Sequence, residues 1–185
     1  MSFAAPPLTE GVMELYTREQ KATNKKILPL KPENIPDELK VRPQWVVWKA
    51  IWRAQSEKLD KVPYSAENGR KASSTDLLTW STFENACKTL ETGEYSGLGF
   101  VFSSGDPYTG IDLDNCAEQE TGEIRQWALE IVRYFDSYTE FSATGRGIHI
   151  IIKGEVPNRR RAEIEVYSSK RFFTITGHVL GAGGD

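Results

Sequence analysis

Apolar and polar positions become regularly patterned from about residue 44 onward. The run QWVVWKAIW, residues 44–52, is rich in aromatic and β-branched side chains, which favour a strand. The stretch KLDKVPYSAENGRKASSTD, residues 58–76, reads as a strand end followed by a loop marked by Pro, Asn-Gly and Ser. Further strands are predicted at LGFVF (98–102), GIDLD (110–114), YTEFS (138–142), GIHIIIKG (147–154), EIEVY (163–167) and RFFTITG (171–177).

Two segments carry apolar residues at helical spacing instead. One helix is predicted within residues 76–93, where Gly93 suits its end, and a second from about Gly122 to Phe135. The apolar stripes of the two helices are Trp80, Phe83, Ala86 and Leu90, and Ile124, Trp127, Ala128, Ile131 and Val132. Strands dominate and do not alternate strictly with helices, so the predicted class is α+β, with a mainly antiparallel or mixed sheet covered by helices.

The first 36 residues differ from the rest of the chain. They are polar, contain several prolines and show weak periodicity, which predicts an N-terminal extension, partly flexible, with a short helix near TEGVMELYTREQ. Residues 37–185 are then expected to form the compact domain. A chain of 185 residues suits one domain, or one domain with a small appendage.

Composition excludes several classes of protein. The sequence has no long apolar run and no secretory signal, so we expect a cytoplasmic protein without a membrane span. Cys87 and Cys116 are expected to be reduced thiols, and with two histidines in the chain a structural zinc is disfavoured. The net charge of −3 argues against a dedicated basic nucleic-acid binder but leaves room for an enzyme with a local basic face. The basic stretch PNRRRAE is most simply a solvated loop.

The predicted strands place acidic side chains in pairs. Side chains alternate along a strand, so Asp112 and Asp114 share one face, and Glu163 and Glu165 share one face of another strand. Adjacent carboxylates repel each other unless a cation neutralises them. Hard oxygen ligands of this kind suit Mg²⁺ or Mn²⁺.

A glycine-flanked turn, SATGRGIH, precedes the strand with His149. Backbone N–H groups of such a turn can approach an anion closely, and Arg146 offers a planar fork for phosphate. His149 could donate a further hydrogen bond to a phosphate oxygen. Carboxylates, metal and triphosphate together form the layout of two-metal phosphoryl or nucleotidyl transfer. Each motif alone is weak, and their conjunction in this order is much stronger.

These motifs resemble those of the archaeo-eukaryotic primase superfamily, and more narrowly the primase-polymerase domains of phages, plasmids and bacterial mobile elements. GIDLD fits the family's D-x-D strand, GIH its histidine motif, and IEVY its apolar residue followed by an acid. The flanking stretches QWVVWK, KVPYSAENGRKASSTD, LGFVFS and RFFTITG also look like the phage-type members. The resemblance covers about residues 40 to 180.

The resemblance implies a role for each matching residue. Asp112, Asp114 and Glu165 would ligate two Mg²⁺ or Mn²⁺ ions, and His149 would contact the phosphates of the incoming nucleotide. Glu163 is an alternative to Glu165, which is preferred because EVY leads directly into RFFTITG. Further candidates for the triphosphate are Ser142, Arg146, Gly147 and Arg171. Possible contacts to DNA or nucleotide are Lys61, Arg70, Lys71 and Ser73.

Position 147 departs from some members of this family, which carry Ser where Gly147 stands. The hydroxyl contact to phosphate would then be missing, or be supplied by Ser142.

The family fold implied is an RRM-like catalytic sheet joined to an N-terminal α/β subdomain. The implied activity is that of a DNA primase, a DNA polymerase or both, with a single-stranded DNA template and (d)NTPs as partners. Because the chain ends in GAGGD soon after the last motif, we expect a catalytic fragment of a longer protein that supplies a helicase or an accessory priming domain.

Three alternatives stay open at the level of sequence. An end-joining or repair polymerase that cannot initiate chains would carry the same motifs. A metal-dependent nuclease of a replication initiator would need paired histidines, whereas this chain has only His149 and His178. An RRM-like binding module would need exposed aromatic residues in its central strands, where acidic residues stand instead.

Overall fold

The computed structural model describes residues 27–53 and 58–181, which form two antiparallel sheets and three α-helices. The helices are α1 (Asp37–Lys40), α2 (Phe83–Leu90) and α3 (Gln126–Phe135). The strands are β1 (Trp45–Arg53), β2 (Lys58–Tyr64), β3 (Gly97–Phe102), β4 (Tyr108–Leu113), β5 (Tyr138–Phe141), β6 (Ile148–Lys153), β7 (Arg159–Arg161), β8 (Ile164–Tyr167) and β9 (Arg171–Ile175). The α+β class is confirmed, with antiparallel pairing between all of these strands.

The first sheet has the strand order β2-β1-β3-β9 and contains most of the aromatic core. Trp45 on β1 packs edge-on against Phe100 of β3 and Phe83 of α2, with ring centroids 5.4 and 4.9 Å apart. Its indole N–H donates to the Leu39 carbonyl oxygen at 3.1 Å, so the buried ring leaves no polar atom unpaired. Trp48 is buried as well and donates to the Leu98 carbonyl oxygen.

The second sheet has the order β5-β6-β4-β8-β7. One of its faces is apolar and packs on α3, through residues such as Ile111, Leu113, Ile148 and Ile150. The opposite face turns toward the first sheet, where Ile151 joins the aromatic core. Because side chains alternate along each strand, the polar residues between those isoleucines all emerge on this inward face.

The arginine-rich stretch PNRRRAE is not a loop, as the sequence suggested, but contains strand β7. Its three residues pair with β8 in antiparallel register and are all exposed. The charge pattern alone could not show this, because a strand of three residues has no periodicity of its own and forms by pairing with its neighbour.

The first predicted helix is shorter than expected. Residues 77–79 form a 3₁₀ turn, Leu77–Thr79, whose Leu78 amide donates to the Asp76 carboxylate. Ser81 then pairs with the backbone of Trp45, so the chain is extended there. The helix starts only at α2, after Thr82 accepts a hydrogen bond from the Asn85 amide. Trp80 therefore precedes the helix.

The second predicted helix also starts later than expected, at Gln126 instead of about Gly122. Residues 117–124 fold back on themselves, with an isolated bridge between Ala117 and Ile124 and a left-handed Gly122 (φ 72°). The predicted end at Phe135 is confirmed, and Asp136 closes the helix in the left-handed conformation. No helix within the described ranges is long and apolar enough to cross a membrane.

The chain passes from one sheet to the other just after β9. Gly177, with φ 69°, redirects the backbone, and the following residues pair with β5 of the second sheet. The Phe141 amide donates to the His178 carbonyl oxygen and the Leu180 amide to the Thr139 carbonyl oxygen, both at 2.9 Å. A continuous backbone therefore joins the two sheets beside strand β5.

The described part of the N-terminal segment lies against this crossing. The Lys31 amide donates to the Thr176 carbonyl oxygen, the Asn34 side chain donates to the Gly177 carbonyl oxygen, and Ile35 is buried in the aromatic core. The helix predicted near TEGVMELYTREQ lies outside the described residues. The domain boundary after residue 36 stays a prediction.

Replacing Gly177 with Ala is expected to destabilise the fold by about 2–4 kcal/mol. A Cβ atom there would overlap the Lys31 carbonyl oxygen, and the backbone conformation disfavours any side chain. Urea unfolding followed by circular dichroism measures the change. Gly122→Ala has the same kind of φ but open space, so it should cost only about 1 kcal/mol. Gly181→Ala is the control, because position 181 has neither a left-handed backbone nor an atom that a Cβ would touch. An equal loss of stability in all three variants would contradict this explanation.

Candidate active site

A line of polar side chains crosses the inward face of the second sheet at one level. Cross-strand pairing joins Glu140 to His149, His149 to Asp112, Asp112 to Glu165, and Glu165 to Arg160. These five residues, here called the polar row, come from β5, β6, β4, β8 and β7 in that order. The three motifs predicted from the sequence, GIDLD, GIH and IEVY, therefore place Asp112, His149 and Glu165 side by side on neighbouring strands.

The carboxylates of the row are close to one another. Asp112 and Glu165 are direct cross-strand partners, an arrangement of like charges that destabilises a sheet unless something compensates. Asp114 follows the end of β4, and its amide donates to the Glu163 carbonyl oxygen at 2.8 Å. Partial burial, together with the negative charges of Asp112 and Glu165, raises the pKa of Asp114 above its ordinary value.

Glu165 is buried and has three side-chain partners. Arg160 contacts one carboxylate oxygen through Nε at 2.6 Å. Arg171 Nη2 and Tyr167 Oη contact the other oxygen at 3.4 and 2.9 Å. Glu163, the alternative considered for the acidic strand motif, is exposed. Of the two glutamates, Glu165 therefore has the cationic surroundings of a site residue.

Lys61 approaches this group from the first sheet. It lies on β2, and it is partly buried opposite the aspartates. Burial lowers the pKa of Lys61, while the charges of Asp112 and Asp114 oppose that change. The site is thus formed between the sheets, with an acidic floor on one side and a cation on the other.

The glycine-flanked turn borders the same space. Ser142 accepts hydrogen bonds from the Gly147 amide at its hydroxyl (3.2 Å) and from the Gly145 amide at its carbonyl (2.8 Å). A Cβ atom on Gly147 would lie 2.7 Å from the carbonyl oxygen of Leu113, the residue between the two aspartates. Glycine at position 147 therefore lets the turn pack directly on the strand that carries them.

A cleft with two lobes of about 590 Å³ each lies over the row. Lys61, Asp112 and Arg171 line both lobes. The turn lobe is also lined by Asp114, Ser142, Arg146, Gly147, Arg160 and Glu165. The β9 lobe is also lined by Ser73, Ser74, His149, Lys170, Phe173 and Thr174.

Most residues proposed from the sequence are brought together here. All the expected metal and triphosphate residues border one lobe or the other, and so do Lys61 and Ser73. Arg70 and Lys71 do not line either lobe; they are exposed on the turn after β2, and their contact with DNA stays a prediction. His178 lies elsewhere, with Nε2 2.7 Å from the Pro29 carbonyl oxygen, so the two histidines do not form a pair.

Two members of the row were missed by the sequence analysis, Glu140 and Arg160. YTEFS was predicted as a strand, but nothing in its pattern indicates that Glu140 pairs with His149. Arg160 was one of three adjacent arginines, and only pairing with β8 shows that it shares the face of Glu165. Arg159 and Arg161 pair with Val166 and Ile164 and so belong to the opposite face.

The donor set fits a hard divalent cation. Within residues 27–53 and 58–181, no three His, Cys, Asp or Glu side chains are already gathered as a metal-binding group. The neighbouring side chains of Asp112 and Asp114, with Glu165 on the adjacent strand, nevertheless supply the carboxylate oxygens that Mg²⁺ and Mn²⁺ prefer. Carboxylates and guanidinium groups therefore line the same lobe of the cleft.

The chain is similar in sequence to a known DNA primase-polymerase. No family model matches the chain. The DNA primase-polymerase of Nitratiruptor phage NrS-1 is 37% identical to it over 150 residues. The alignment covers 77% of this chain and 20% of that relative, so the chain spans about a fifth of the relative's length. This identity supports a relationship to a DNA primase-polymerase.

Replacing Arg160 with Ala is expected to lower the free energy of unfolding by about 1 kcal/mol, because buried Glu165 loses its closest cationic partner. Arg161→Ala makes the same charge change on the other face and should stay within about 0.5 kcal/mol of the wild type. Urea unfolding of the three proteins measures both values. Equal effects from the two variants would show that Arg160 does not interact specifically with Glu165.

Proposed function

We propose that this chain is the catalytic part of a template-directed nucleotidyltransferase, a DNA primase, a DNA polymerase or both. The observation that carries the proposal is the cross-strand adjacency of Asp112 and Glu165, with Asp114 beside them, at the floor of a cation-lined cleft. The identity to a phage DNA primase-polymerase supports the same assignment.

Asp112, Asp114 and Glu165 would hold the Mg²⁺ or Mn²⁺ ions. When bound, two such ions would supply Lewis-acid chemistry: a lower pKa for an attacking hydroxyl group and charge stabilisation for the departing pyrophosphate. The direct cross-strand pairing of Asp112 with Glu165 supports this role, because a bound divalent cation would offset the repulsion between these like charges.

The triphosphate of the incoming nucleotide would lie in the turn lobe. Arg146, Arg160 and Arg171 all line it, and guanidinium groups bind phosphate oxygens with two parallel hydrogen bonds. Gly147 brings the backbone of the turn close to the same space. His149 and Lys61 would contact the phosphates from the β9 lobe. The rest of the nucleotide, or the template, would lie in the same lobe beside Ser73 and Lys170, which line it.

When substrate binds, the side chains of Arg160 and Arg171 would turn from Glu165 toward the phosphates in the turn lobe. Arg160 is largely exposed although it contacts buried Glu165, so its side chain can turn toward the lobe at little cost in packing. The Arg171 side chain can also turn toward the lobe, since it is half-exposed and its contact with Glu165 is 3.4 Å long. Glu165, released from the two guanidinium groups, would then be available as a metal ligand.

The single-stranded DNA template and the (d)NTPs are the proposed partners. Primer initiation places two nucleotides without the help of a primer, and an accessory priming domain or a helicase in a longer protein would assist it. The relative that supports this function is several times longer than the aligned region. A polymerase that only extends or joins ends is the alternative outcome of the first experiment.

Replacing Asp112 and Asp114 together with Asn should reduce nucleotide incorporation by more than about 100-fold, because the metal ligands are lost. The assay uses a single-stranded template, labelled nucleotides and Mn²⁺, with and without a primer. Products formed without a primer define a primase, and products formed only with a primer define an extending polymerase. Glu163→Gln, which removes an exposed carboxylate nearby, is the matched control and should remain active.

The same proteins should differ in their response to metal. Mn²⁺ should raise the melting temperature of the wild type and of Glu163→Gln but not of the double variant. Folded protein that shows neither a metal response nor synthesis would refute the proposed function.

Arg160→Ala should raise the KM for the nucleotide by about 10-fold, a loss of about 1.4 kcal/mol of binding, while kcat changes less. The reason is the loss of one of the three guanidinium groups that line the turn lobe. Steady-state extension of a labelled primer over a range of nucleotide concentrations gives both constants. Arg161→Ala should retain the wild-type KM, and a shared rise in both variants would indicate a general effect of surface charge.

A further inference from the structure

One buried hydroxyl group beside the cleft has no partner. Thr174 on β9 is 2% exposed, and its Oγ1 atom forms no hydrogen bond with any residue that the structure describes. Among those residues it is the one buried side-chain oxygen or nitrogen atom left unpaired. The residue lines the β9 lobe. Because buried polar groups are nearly always paired, an unpaired hydroxyl at a cleft indicates a partner that the protein itself does not supply.

The topology of the first sheet explains why this hydroxyl is unpaired. β9 is the last strand of that sheet, and Thr174 pairs across it with Gly99. Glycine offers no side chain to bond, and a Cβ atom there would lie 2.7 Å from the Phe172 ring. Two positions further on, the Thr176 hydroxyl does have a partner, since it donates to the Phe141 carbonyl oxygen at 2.7 Å. The missing partner is therefore particular to the threonine that lines the cleft.

The lining of the β9 lobe changes in character away from the polar row. Lys61, Asp112 and Arg171 are charged and line both lobes, so they stand where the two lobes meet. The rest of the β9 lobe includes carbon-rich side chains, namely those of Leu59, Pro63, Ala72 and Phe172. A mainly apolar wall with a few polar groups is typical of a site that binds an organic molecule. The lobe therefore suits the sugar and base of a nucleotide better than its phosphates.

The position of Thr174 relative to the polar row favours the sugar over the base. Arg146 lines only the turn lobe and Thr174 only the β9 lobe. Phe173, the residue before Thr174, packs its ring on His149 of the row, with centroids 4.9 Å apart. Thr174 is thus one residue along the chain from a side chain that contacts the row. In a nucleotide the sugar is bonded directly to the phosphates and the base lies beyond it, so the sugar is the part nearest to Thr174.

We propose that the Thr174 hydroxyl binds a hydroxyl group on the sugar of the incoming nucleotide, and so holds the nucleoside in the β9 lobe. The inference rests on the proposed function and names the part of the substrate that this residue contacts. A neutral hydroxyl both donates and accepts, as a sugar hydroxyl does, whereas phosphate oxygens are bound best by charged donors. Rotation about χ1 exchanges the hydroxyl and methyl positions of a threonine. Such a rotation toward the lobe would break no hydrogen bond, because Oγ1 has none within the described residues.

Three variants separate the hydroxyl from the rest of the side chain. Thr174→Val removes the hydroxyl and keeps the branched shape, and Thr174→Ser keeps the hydroxyl. Thr139→Val is the matched control, because Thr139 is equally buried in a strand but lines neither lobe. Its hydroxyl is paired, since it donates to the Ser137 carbonyl oxygen at 2.9 Å.

Thermal unfolding without nucleotide tests whether the hydroxyl is unpaired in the free protein. Thr174→Val should melt at the wild-type temperature or above, because it replaces a buried hydroxyl that has no partner to lose. Thr139→Val should melt at a lower temperature, because it breaks a hydrogen bond. Circular dichroism measures both changes.

Calorimetric titration in Mn²⁺ with three nucleotides tests the contact with the sugar. ATP has 2′- and 3′-hydroxyl groups, dATP has only the 3′-hydroxyl, and dideoxy-ATP has neither. Thr174→Val should weaken ATP binding by about 3–10-fold, the effect of one neutral hydrogen bond, and should change dideoxy-ATP binding by less than about twofold. A loss with dATP equal to that with ATP assigns the 3′-hydroxyl, and unchanged dATP binding assigns the 2′-hydroxyl. Thr174→Ser and Thr139→Val should bind all three nucleotides as the wild type does.

Unchanged ATP affinity in folded Thr174→Val would overturn the inference, and so would an equal loss for ATP and dideoxy-ATP, which would place the contact elsewhere on the nucleotide. If Thr174→Val does not fold, the hydroxyl is not the unpaired group described above, and the inference fails as well. In each of these cases the wild type still binds nucleotide, so the proposed function stands. A wild type that binds none of the three nucleotides and incorporates none would refute the proposed function, and this inference with it.

Discussion

The hydrogen-bond register of β4 between β6 and β8 determines the site. This strand is flanked on both sides, so its pairing places Asp112 beside His149 and beside Glu165 at the same time. A shift of one residue would turn Ile111 into the cleft and move the aspartates against α3. The isoleucines and leucines on the α3 side prevent such a shift, because it would expose them. Burial of one face therefore fixes the chemistry of the other.

The same register explains how much could be predicted from the sequence. Asp112 and Asp114 share a face by the local alternation of a strand, so their pairing needed no knowledge of the fold. Glu140 and Arg160 stand next to His149 and Glu165 only because β5 and β7 flank the sheet, which is non-local information. The start of the first predicted helix was missed for a related reason. Ser81 pairs with Trp45, a tertiary contact that extends a stretch with helical spacing.

The polar row combines charges of both signs unevenly. Asp112 and Glu165 lie side by side within it, Arg160 stands at one end beside Glu165, and Lys61 reaches the aspartates from the opposite sheet. A sheet selected for stability alone would carry neutral residues at these positions. Retaining like charges in neighbouring strands is understandable if a bound cation is their usual partner, and the arginine contacts of Glu165 limit the cost when it is absent.

The crossing at Gly177 also protects the sheet from other molecules. Residues 178–180 hydrogen-bond to β5 through the Phe141 amide and the Thr139 carbonyl group, so they cover the outer side of that strand. In the part of the chain that the structure describes, β7 is then the exposed edge of this sheet, and it consists of three arginines. A strand edge of such charge repels a second copy of itself and discourages intermolecular strand pairing. The arginines that do not face the cleft thereby help to keep the protein from aggregating.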